Sequence, residues 1–250
     1  MCIIGTALQV HESFPFILAA NRDEFIQRPA SSAHWWNGNF VAGKDLSQGG
    51  TWLGLAQDGK IGALTNVRAP EEDGLAEYSR GMLIPLWLKE GEITSLLEKK
   101  FKFGGFNMFY GTIKDLYYVS NKTNKFIKLE TGIHTISNAD LSTEWPKTAQ
   151  LKKDFESFMD LPKNQLIEAL FSALYKKEKW PDKVLPDTGV GLELERSLSP
   201  AFIEMEDYGT RCSTVILVNN DGVATFIERS FRPQEKEVCY QFQLQIKPDK

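Results

Sequence analysis

The chain has 250 residues, of which 42% are hydrophobic and 25% are charged, and its formal net charge at pH 7 is −4. These values are ordinary for a globular protein, and the length fits a single domain spanning residues 1–250. A weakly acidic chain without clustered Lys and Arg lacks the basic surface that nucleic acids and anionic membranes attract. Because no uninterrupted apolar stretch reaches about 18 residues, we also expect no stable membrane insertion.

The cysteines and the first residues bear on the cellular compartment. Cys2, Cys212 and Cys239 lie far apart in the sequence, so they predict neither a disulfide framework nor a pair of metal ligands. The first 25 residues lack the basic region, the continuous apolar core and the cleavage site of a signal peptide. The sequence therefore predicts reduced thiols and a cytoplasmic location, and it indicates no required metal or cofactor.

The first quarter of the chain predicts an antiparallel meander of short strands. Apolar runs alternate with polar turns, which is the pattern of strands joined by hairpins. The turn that contains Asp58-Gly59 lies between two such runs and is a strong hairpin signal. The predicted strands lie at 2–9, 14–20, within 35–43, and at 51–56 and 61–66.

The middle of the chain predicts helices and further strands. Apolar residues three and four positions apart predict helices at 81–91, 93–101, 145–159 and 163–174. Strand-like runs fill much of 106–138, and three more follow residue 211. The stretch 176–202, rich in Pro, Gly and charge, is predicted to be a long loop acting as a lid or binding loop. Strands at both ends with helices between them indicate an α+β domain of mainly antiparallel sheet.

Cys2 is the first candidate for chemistry. A small side chain after Met1 permits removal of the initiator methionine, which would leave a thiol and a free α-amine on the same residue. The α-amine has a reference pKa of about 7.7–8.0, so a modest perturbation makes it a usable base at neutral pH. It would lie within reach of its own thiol, as in N-terminal nucleophiles. Position alone also fits a small buried residue that opens a strand.

The second candidate is the run Asn21-Arg22-Asp23-Glu24, which follows the second apolar run. A hairpin places the end of the second strand beside the start of the first, so we expect Asp23 next to Cys2. A carboxylate there can accept hydrogen bonds from the α-amine, and the Arg22 charge is expected to lower the thiol pKa. Four consecutive polar residues are equally typical of a solvated turn.

An ordered set of motifs extends over essentially the whole chain. The motifs are Met1-Cys2, Asn21-Arg22-Asp23-Glu24, Arg28-Pro29, Gly43-Lys44-Asp45, Gly49-Gly50-Thr51-Trp52-Leu53-Gly54, Leu64-Thr65-Asn66-Val67-Arg68, Ser79-Arg80-Gly81, Gly132-Ile133-His134, Ser137-Asn138-Ala139, Trp145-Pro146-Lys147 and Thr210-Arg211-Cys212-Ser213-Thr214. Together they resemble the NRDE family, also called the transport-and-Golgi-organisation protein family. Lys44 departs from the pattern, since many members carry Arg there.

The resemblance implies a fold and a set of roles. The family is similar to N-terminal-nucleophile hydrolases of the choloylglycine hydrolase and penicillin acylase type, which have a four-layer αββα sandwich. Carried over to this chain, Cys2 matches the nucleophile and Asp23 the acid that holds the amine. Asn66 and Asn138 match the donors of the oxyanion hole, each of which typically contributes about 10²–10³ in rate.

Two arginines and a histidine complete the set of expected site residues. Arg22 and Arg211 match the arginines of the hydrolase site. His134 lies on the strand leading to Asn138 and is the histidine we expect near the site.

Three functions remain open from the sequence. The first is hydrolysis of a small-molecule amide by Cys2. The second follows from the link of the family to haem handling and to lipid or acyl-CoA homeostasis, and it is binding and trafficking of haem or a lipid-like ligand. In that case Cys2 or His134 is the candidate haem ligand. The third is a scaffold with a vestigial site.

Overall fold

The computed structural model of the chain describes residues 2–68, 76–94, 98, 102–123 and 126–246. Within those residues, thirteen strands form two sheets that face each other. In chain order the strands are β1 Cys2–Leu8, β2 Phe16–Phe25, β3 Ala30–Trp36, β4 Phe40–Asp45, β5 Leu53–Ala56, β6 Lys60–Asn66, β7 Phe106–Thr112, β8 Leu116–Ser120, β9 Phe126–Lys128, β10 Gly132–Ile136, β11 Tyr208–Val218, β12 Val223–Ser230 and β13 Lys236–Gln243.

Each sheet draws its strands from a different part of the chain. The first sheet has the order β10-β1-β2-β11-β12-β13, and the second has the order β3-β4-β5-β6-β7-β8-β9. Neighbouring strands are antiparallel in both sheets, which confirms the prediction of mainly antiparallel sheet. β1 and β2 therefore lie side by side in the middle of the first sheet.

Alternation along the strands explains why both faces of each sheet are buried. In β1, Ile4 and Leu8 belong to the core between the two sheets. Ile3 and Ala7 point to the opposite face and pack against helices. Successive side chains of a strand point to opposite faces, so a strand covered on both sides is apolar at nearly every position.

Helices cover the outer face of each sheet. Within the described residues the helices are α1 Leu83–Glu90, α2 Pro146–Phe158, α3 Lys163–Leu174 and α4 Leu192–Ser197, and the first three cover these faces. Ile84 and Leu88 of α1 pack on the second sheet. Phe155 of α2 and Leu166 of α3 pack on the first. The four layers are thus αββα, as the sequence resemblance implied.

Two predicted strands have different bounds in the structure. The strand predicted at 14–20 continues to Phe25 in β2, because β2 is a central strand whose polar end is paired with β1 and β11 on its two sides. The region 35–43 contains parts of two strands, β3 and β4, which are joined by a tight turn. Asn37 and Gly38 have positive φ values of 49° and 76° in that turn.

Two other predictions concern helical segments. The stretch 176–202 was predicted as a loop, but it contains α4 and a short 3₁₀ turn at Asp182–Val184. The helix predicted at 93–101 falls on a stretch of which the structure describes only residues 93, 94 and 98.

Candidate functional site

A cavity of about 630 Å³ opens beside the first residue of β1. Its polar lining includes Cys2, Asp23 and Asn66. Four arginines also line it, namely Arg22, Arg28, Arg68 and Arg80. Its apolar lining includes Trp52, Leu64, Val190, Leu194, Leu198 and Met205. A concave, largely apolar cavity of this size with a few converging polar groups is typical of a small-molecule site.

The hairpin of β1 and β2 holds Asp23 beside Cys2. Cys2 pairs with Arg22 in this hairpin, and the backbone N–H of Asp23 hydrogen-bonds the Cys2 thiol. Asp23 is 2% exposed, and its Oδ1 accepts a 2.6 Å hydrogen bond from Thr210 Oγ1. Burial raises the pKa of the Asp23 carboxyl. The structure therefore brings together the thiol and the carboxylate that the sequence placed next to each other.

Burial also raises the pKa of the Cys2 thiol, and it outweighs the nearby positive charge. The Arg22 charge lowers the thiol pKa, as expected from the sequence, but its effect is smaller than that of burial. Arg22 Nη2 donates to Asp45 Oδ2 at 3.0 Å, and its guanidinium carbon lies 4.1 Å from the centre of the Trp52 ring. Arg22 is therefore a wall residue whose charge is balanced by Asp45.

The two asparagines expected in the oxyanion hole contact each other. Asn138 Nδ2 donates to the Asn66 carbonyl oxygen at 2.9 Å and to Asn66 Oδ1 at 3.0 Å. Asn138 is 1% exposed, whereas Asn66 is half-buried and lines the cavity. Because Asn66 Oδ1 accepts from Asn138, the Asn66 amide nitrogen is the group of this pair that is placed to donate to a ligand. Asn138 positions Asn66.

Arg211 does not reach the cavity. It lies at an irregularity of β11, where the register with β2 shifts between Thr210 and Cys212. Its Nη1 donates to the carbonyl oxygens of Phe25 and Arg28, at 2.8 Å in both cases. Arg211 thus ties the chain after β2 to the first sheet, and it is not a site arginine. A bulge of this kind redirects a side chain, which a sequence pattern does not reveal.

His134 is also outside the cavity. It pairs with Thr6 of β1, four positions along the strand from Cys2, and its Nε2 is 2.8 Å from the Glu130 carbonyl oxygen. The expectation that His134 lies at the site is therefore wrong. In the part of the chain that the structure describes, no group of three or more His, Cys, Asp or Glu is arranged to hold a metal ion.

Three charged residues at the site were not singled out from the sequence. Arg68 lines the cavity, and its Nη1 forms a buried ion pair with Glu195 Oε2 of α4. The Arg68 guanidinium also lies 4.7 Å from the Trp145 ring centre. Lys147 is 4% exposed and donates a 3.0 Å hydrogen bond to the Leu198 carbonyl oxygen. Arg68 and Lys147 are each the last residue of a motif quoted above. Their place in these motifs is the sequence feature that could have identified them.

The fold resembles that of solved structures. The chain is similar in structure to a mutant of the conjugated bile acid hydrolase of Clostridium perfringens, with a TM-score of 0.50, 7% sequence identity, and coverage of 100% of this chain and 99% of the other. An N-acylethanolamine-hydrolyzing acid amidase ortholog of Caenorhabditis elegans matches with a TM-score of 0.46 and 10% identity, over 87% of this chain and 92% of its own. The fold is that of the N-terminal-nucleophile hydrolases.

The sequence then identifies the family. Residues 1–233 match the family described as Transport and Golgi organisation 2. The human Transport and Golgi organization protein 2 homolog is 35% identical over 261 residues, covering 93% of this chain and 94% of the relative. The Transport and Golgi organization protein 2 of Drosophila melanogaster is 29% identical over 249 residues, covering 87% and 86%. The chain belongs to the Transport and Golgi organisation 2 family, as the motifs indicated. None of the helices in its described residues is long and apolar enough to span a membrane.

Proposed function

We propose that the chain is an amidohydrolase that cleaves a linear amide C–N bond of a small molecule, with Cys2 as the N-terminal nucleophile. The observation that carries this proposal is the Cys2 thiol held against Asp23 in the wall of the cavity. The proposal requires removal of Met1, because only then does Cys2 carry a free α-amine. The hydrolase-type fold supports it, since the start of β1 lies at the cavity.

The thiol of Cys2 needs a base. Burial raises its pKa, so the thiol is protonated at neutral pH. The α-amine of the same residue takes the thiol proton while Sγ attacks the carbonyl carbon of the amide. The Asp23 carboxylate accepts hydrogen bonds from the amine and so keeps its lone pair directed at the thiol.

The negative charge that develops on the substrate oxygen needs a hydrogen-bond donor to stabilise it. Asn66 Nδ2 supplies it, held in place by Asn138. When the C–N bond breaks, the departing amine takes the proton from the α-ammonium group, and a thioester is left on Cys2. Water then attacks the thioester, releases the carboxylic acid and restores the thiol.

Labelling of Cys2 tests the proposal directly. An electrophilic amide analogue is expected to add one equivalent to Cys2 in protein that lacks Met1, and peptide mass spectrometry locates the adduct. The labelling is done on the Cys239→Ala protein, because Cys239 is exposed and would react without a site. The matched control adds Cys2→Ala, which is expected to abolish both labelling and turnover. Turnover by a chain that still carries Met1 would contradict the mechanism.

A second candidate function is binding of a lipid-like ligand without turnover. Phe25 lines the cavity and is 60% exposed, and Leu192, at 50% exposure, lies between the lining residues Val190 and Leu194. Exposed apolar side chains at a cavity favour an apolar ligand. This function predicts lipid retained through purification and an unlabelled Cys2.

Haem is a further ligand to test for the same candidate function. A stoichiometric Soret band on titration with haemin that is lost in Cys2→Ala would favour haem as the ligand. The His134→Ala protein is the matched control, because His134 lies outside the cavity. A band that depends on His134 would contradict haem binding at this cavity.

A further inference from the structure

One glycine in a strand of the second sheet lies against a wall of the cavity. Gly43 belongs to β4 and is buried, and Trp52, which precedes β5, lines the cavity. A methyl group added at Gly43 would lie 2.4 Å from Trp52 Cη2 and 2.5 Å from Trp52 Cζ2. Carbon atoms in contact are normally about 3.5–4.0 Å apart, so the ring occupies the space that any side chain at this position would need.

The backbone conformation of Gly43 does not itself require a glycine. Its φ is not in the positive region that favours glycine. A glycine in the interior of a strand weakens the strand, and it often marks a place where another group approaches the backbone closely. In β4 the approaching group is the Trp52 ring. The glycine therefore lets that ring lie closer to β4 and farther from the open space of the cavity.

The main chain of Trp52 is fixed by its neighbours. The Thr51 N–H donates to the Gly81 carbonyl oxygen at 3.0 Å, and the Leu64 N–H donates to the Trp52 carbonyl oxygen at 2.9 Å. Trp52 also packs against the hydrophobic core between the two sheets. A close-packed core has no space to receive a displaced ring. A side chain in place of Gly43 would therefore push the ring toward the cavity, which is the unfilled space beside it.

The Trp52 ring lies close to the candidate nucleophile. The guanidinium carbon of Arg22 is 4.1 Å from the centre of the ring, and Arg22 pairs with Cys2 in the hairpin of β1 and β2. Arg22 is held in turn by its 3.0 Å hydrogen bond to Asp45. The position of the Trp52 ring therefore sets how much of the cavity is open near the thiol.

We propose that Gly43 and Trp52 form a size-selecting wall of the Cys2 site, and that this site takes amides that carry a bulky apolar group. The inference rests on the proposed function and names the class of amide. Trp52 is the specificity-determining residue, and Gly43 is a positioning residue that acts through it. With glycine at this position the wall is withdrawn, and the bulky group packs on the ring and on the other apolar lining of the cavity.

Alkylation of the Cys2 thiol measures the space beside it without any turnover. The small probe is iodoacetamide, and the bulky apolar probe is N-(1-naphthylmethyl)iodoacetamide. The thiolate displaces iodide from the same kind of carbon in both probes, so they differ in size and not in chemistry. All proteins carry Cys239→Ala, because Cys239 is exposed. Peptide mass spectrometry at Cys2 gives the two rate constants, and the ratio of the bulky-probe to the small-probe rate constant is the readout.

The variants move the wall and then remove it. Gly43→Ala is expected to lower the ratio by at least about tenfold, because the displaced ring excludes the bulky group. Trp52→Leu added to Gly43→Ala is expected to restore the ratio. The matched control is Gly54→Ala, which is expected to leave the ratio unchanged. Gly54 pairs with Ala42 of β4, and a methyl group there would lie 2.7 Å from Leu88 Cδ1, on the outer face of the sheet.

A glycine with only a structural role would slow both probes equally, so an unchanged ratio in Gly43→Ala overturns the proposal. An equal fall of the ratio in Gly54→Ala overturns it as well. Thermal unfolding establishes that each variant is folded. If Gly43→Ala does not fold, Trp52→Leu in the parent protein takes its place. It is expected to raise the ratio, and an unchanged ratio overturns the proposal in the same way.

The result is separate from the test of the proposed function. Alkylation requires neither catalysis nor removal of Met1. Absence of turnover with every amide contradicts the proposed function and leaves the size-selecting wall supported by a lowered ratio in Gly43→Ala. Turnover combined with an unchanged ratio contradicts the wall alone.

Discussion

Cys2 and Cys212 flank Arg22 in one row of the first sheet, since Arg22 pairs with Cys2 on one side and with Cys212 on the other. Burial raises the pKa of both thiols. Cys2 lines the cavity beside Asp23, whereas Cys212 is 5% exposed and donates a hydrogen bond to Glu228. The two cysteine side chains therefore differ in their access to the cavity and in the carboxyl group beside them. These two differences make Cys2, and not Cys212, the candidate for chemistry.

The two carboxyl groups are held differently as well. Asp23 accepts a hydrogen bond from the Thr210 hydroxyl, and the positive charges of Lys147 and Arg68 lower its pKa against the larger effect of burial. Glu228 lies between the sheets, where its Oε1 accepts a 2.8 Å hydrogen bond from the Ala33 backbone N–H, and burial raises its pKa to about 7. Positive charges and a hydroxyl donor partly offset the burial of the first carboxyl group, whereas the second is a buried acid that is about half protonated near pH 7.

Removal of each thiol in turn is the largest expected effect. Cys2→Ala removes the nucleophile and is expected to lower amide turnover by at least about 10³-fold. Cys212→Ala is expected to retain turnover and to lower the free energy of unfolding by about 1 kcal/mol, because it removes a small buried side chain. Turnover assays and urea unfolding measure the two effects. Equal losses of turnover in the two variants would remove the distinction between the thiols.

Substitutions of Asn66 and Asn138 test whether the surroundings of Cys2 are arranged for catalysis. Asn66→Ala removes the proposed oxyanion donor and is expected to lower kcat by about 10²–10³. Asn138→Ala leaves the Asn66 carbonyl and amide oxygens without their donor, so it is expected to cost about 1–3 kcal/mol of unfolding free energy as well. Steady-state kinetics and urea unfolding separate these effects. An unchanged kcat in the Asn66→Ala protein would show that Asn66 is not the oxyanion donor.

The third prediction concerns Glu228, whose effect is on the pH dependence of stability and not on turnover. Its pKa is about 7 in the folded protein against an ordinary 4.5, so the folded state binds its proton more tightly than the unfolded state does. The free energy of unfolding is therefore expected to fall between pH 4.5 and about 8 by up to about 3 kcal/mol from this group. Glu228→Gln is expected to abolish that decrease. Urea unfolding at pH 5 and pH 8 measures it, and an equal decrease in both proteins would contradict the role of Glu228.

The placement of Asp23 beside Cys2 could be predicted because an antiparallel hairpin fixes which residues are neighbours over a short stretch of sequence. The position at which β2 ends could not be predicted, because a run of polar residues normally indicates a turn and not the continuation of a strand. Asn21 is 1% exposed, and its Nδ2 donates to the carbonyl oxygens of Leu174 and Ala201, both at 2.8 Å. These partners are more than 150 residues away, and no local pattern reveals them.

The misplaced residues have physical reasons of the same kind. Arg211 was expected at the site from its motif, but a bulge in β11 turns it toward backbone carbonyl groups. His134 was expected near Asn138, yet four positions along a strand correspond to about 13 Å. Lys147 was quoted as part of a motif without a role, because its burial depends on tertiary contacts such as the hydrogen bond to the Leu198 carbonyl oxygen, 51 residues away in the chain.

The ion pair between Arg68 and Glu195 has a consequence for how molecules enter and leave. Glu195 belongs to α4, within the stretch that the sequence predicted as a lid, and its Oε1 also accepts hydrogen bonds from the Thr188 backbone and hydroxyl. Swinging α4 outward would strand two buried charges, at about 3–5 kcal/mol. An opening of that cost has a population of well under about 1%. Ligand exchange is then expected to follow diffusion through the existing mouth of the cavity, with association rates that fall as solvent viscosity rises.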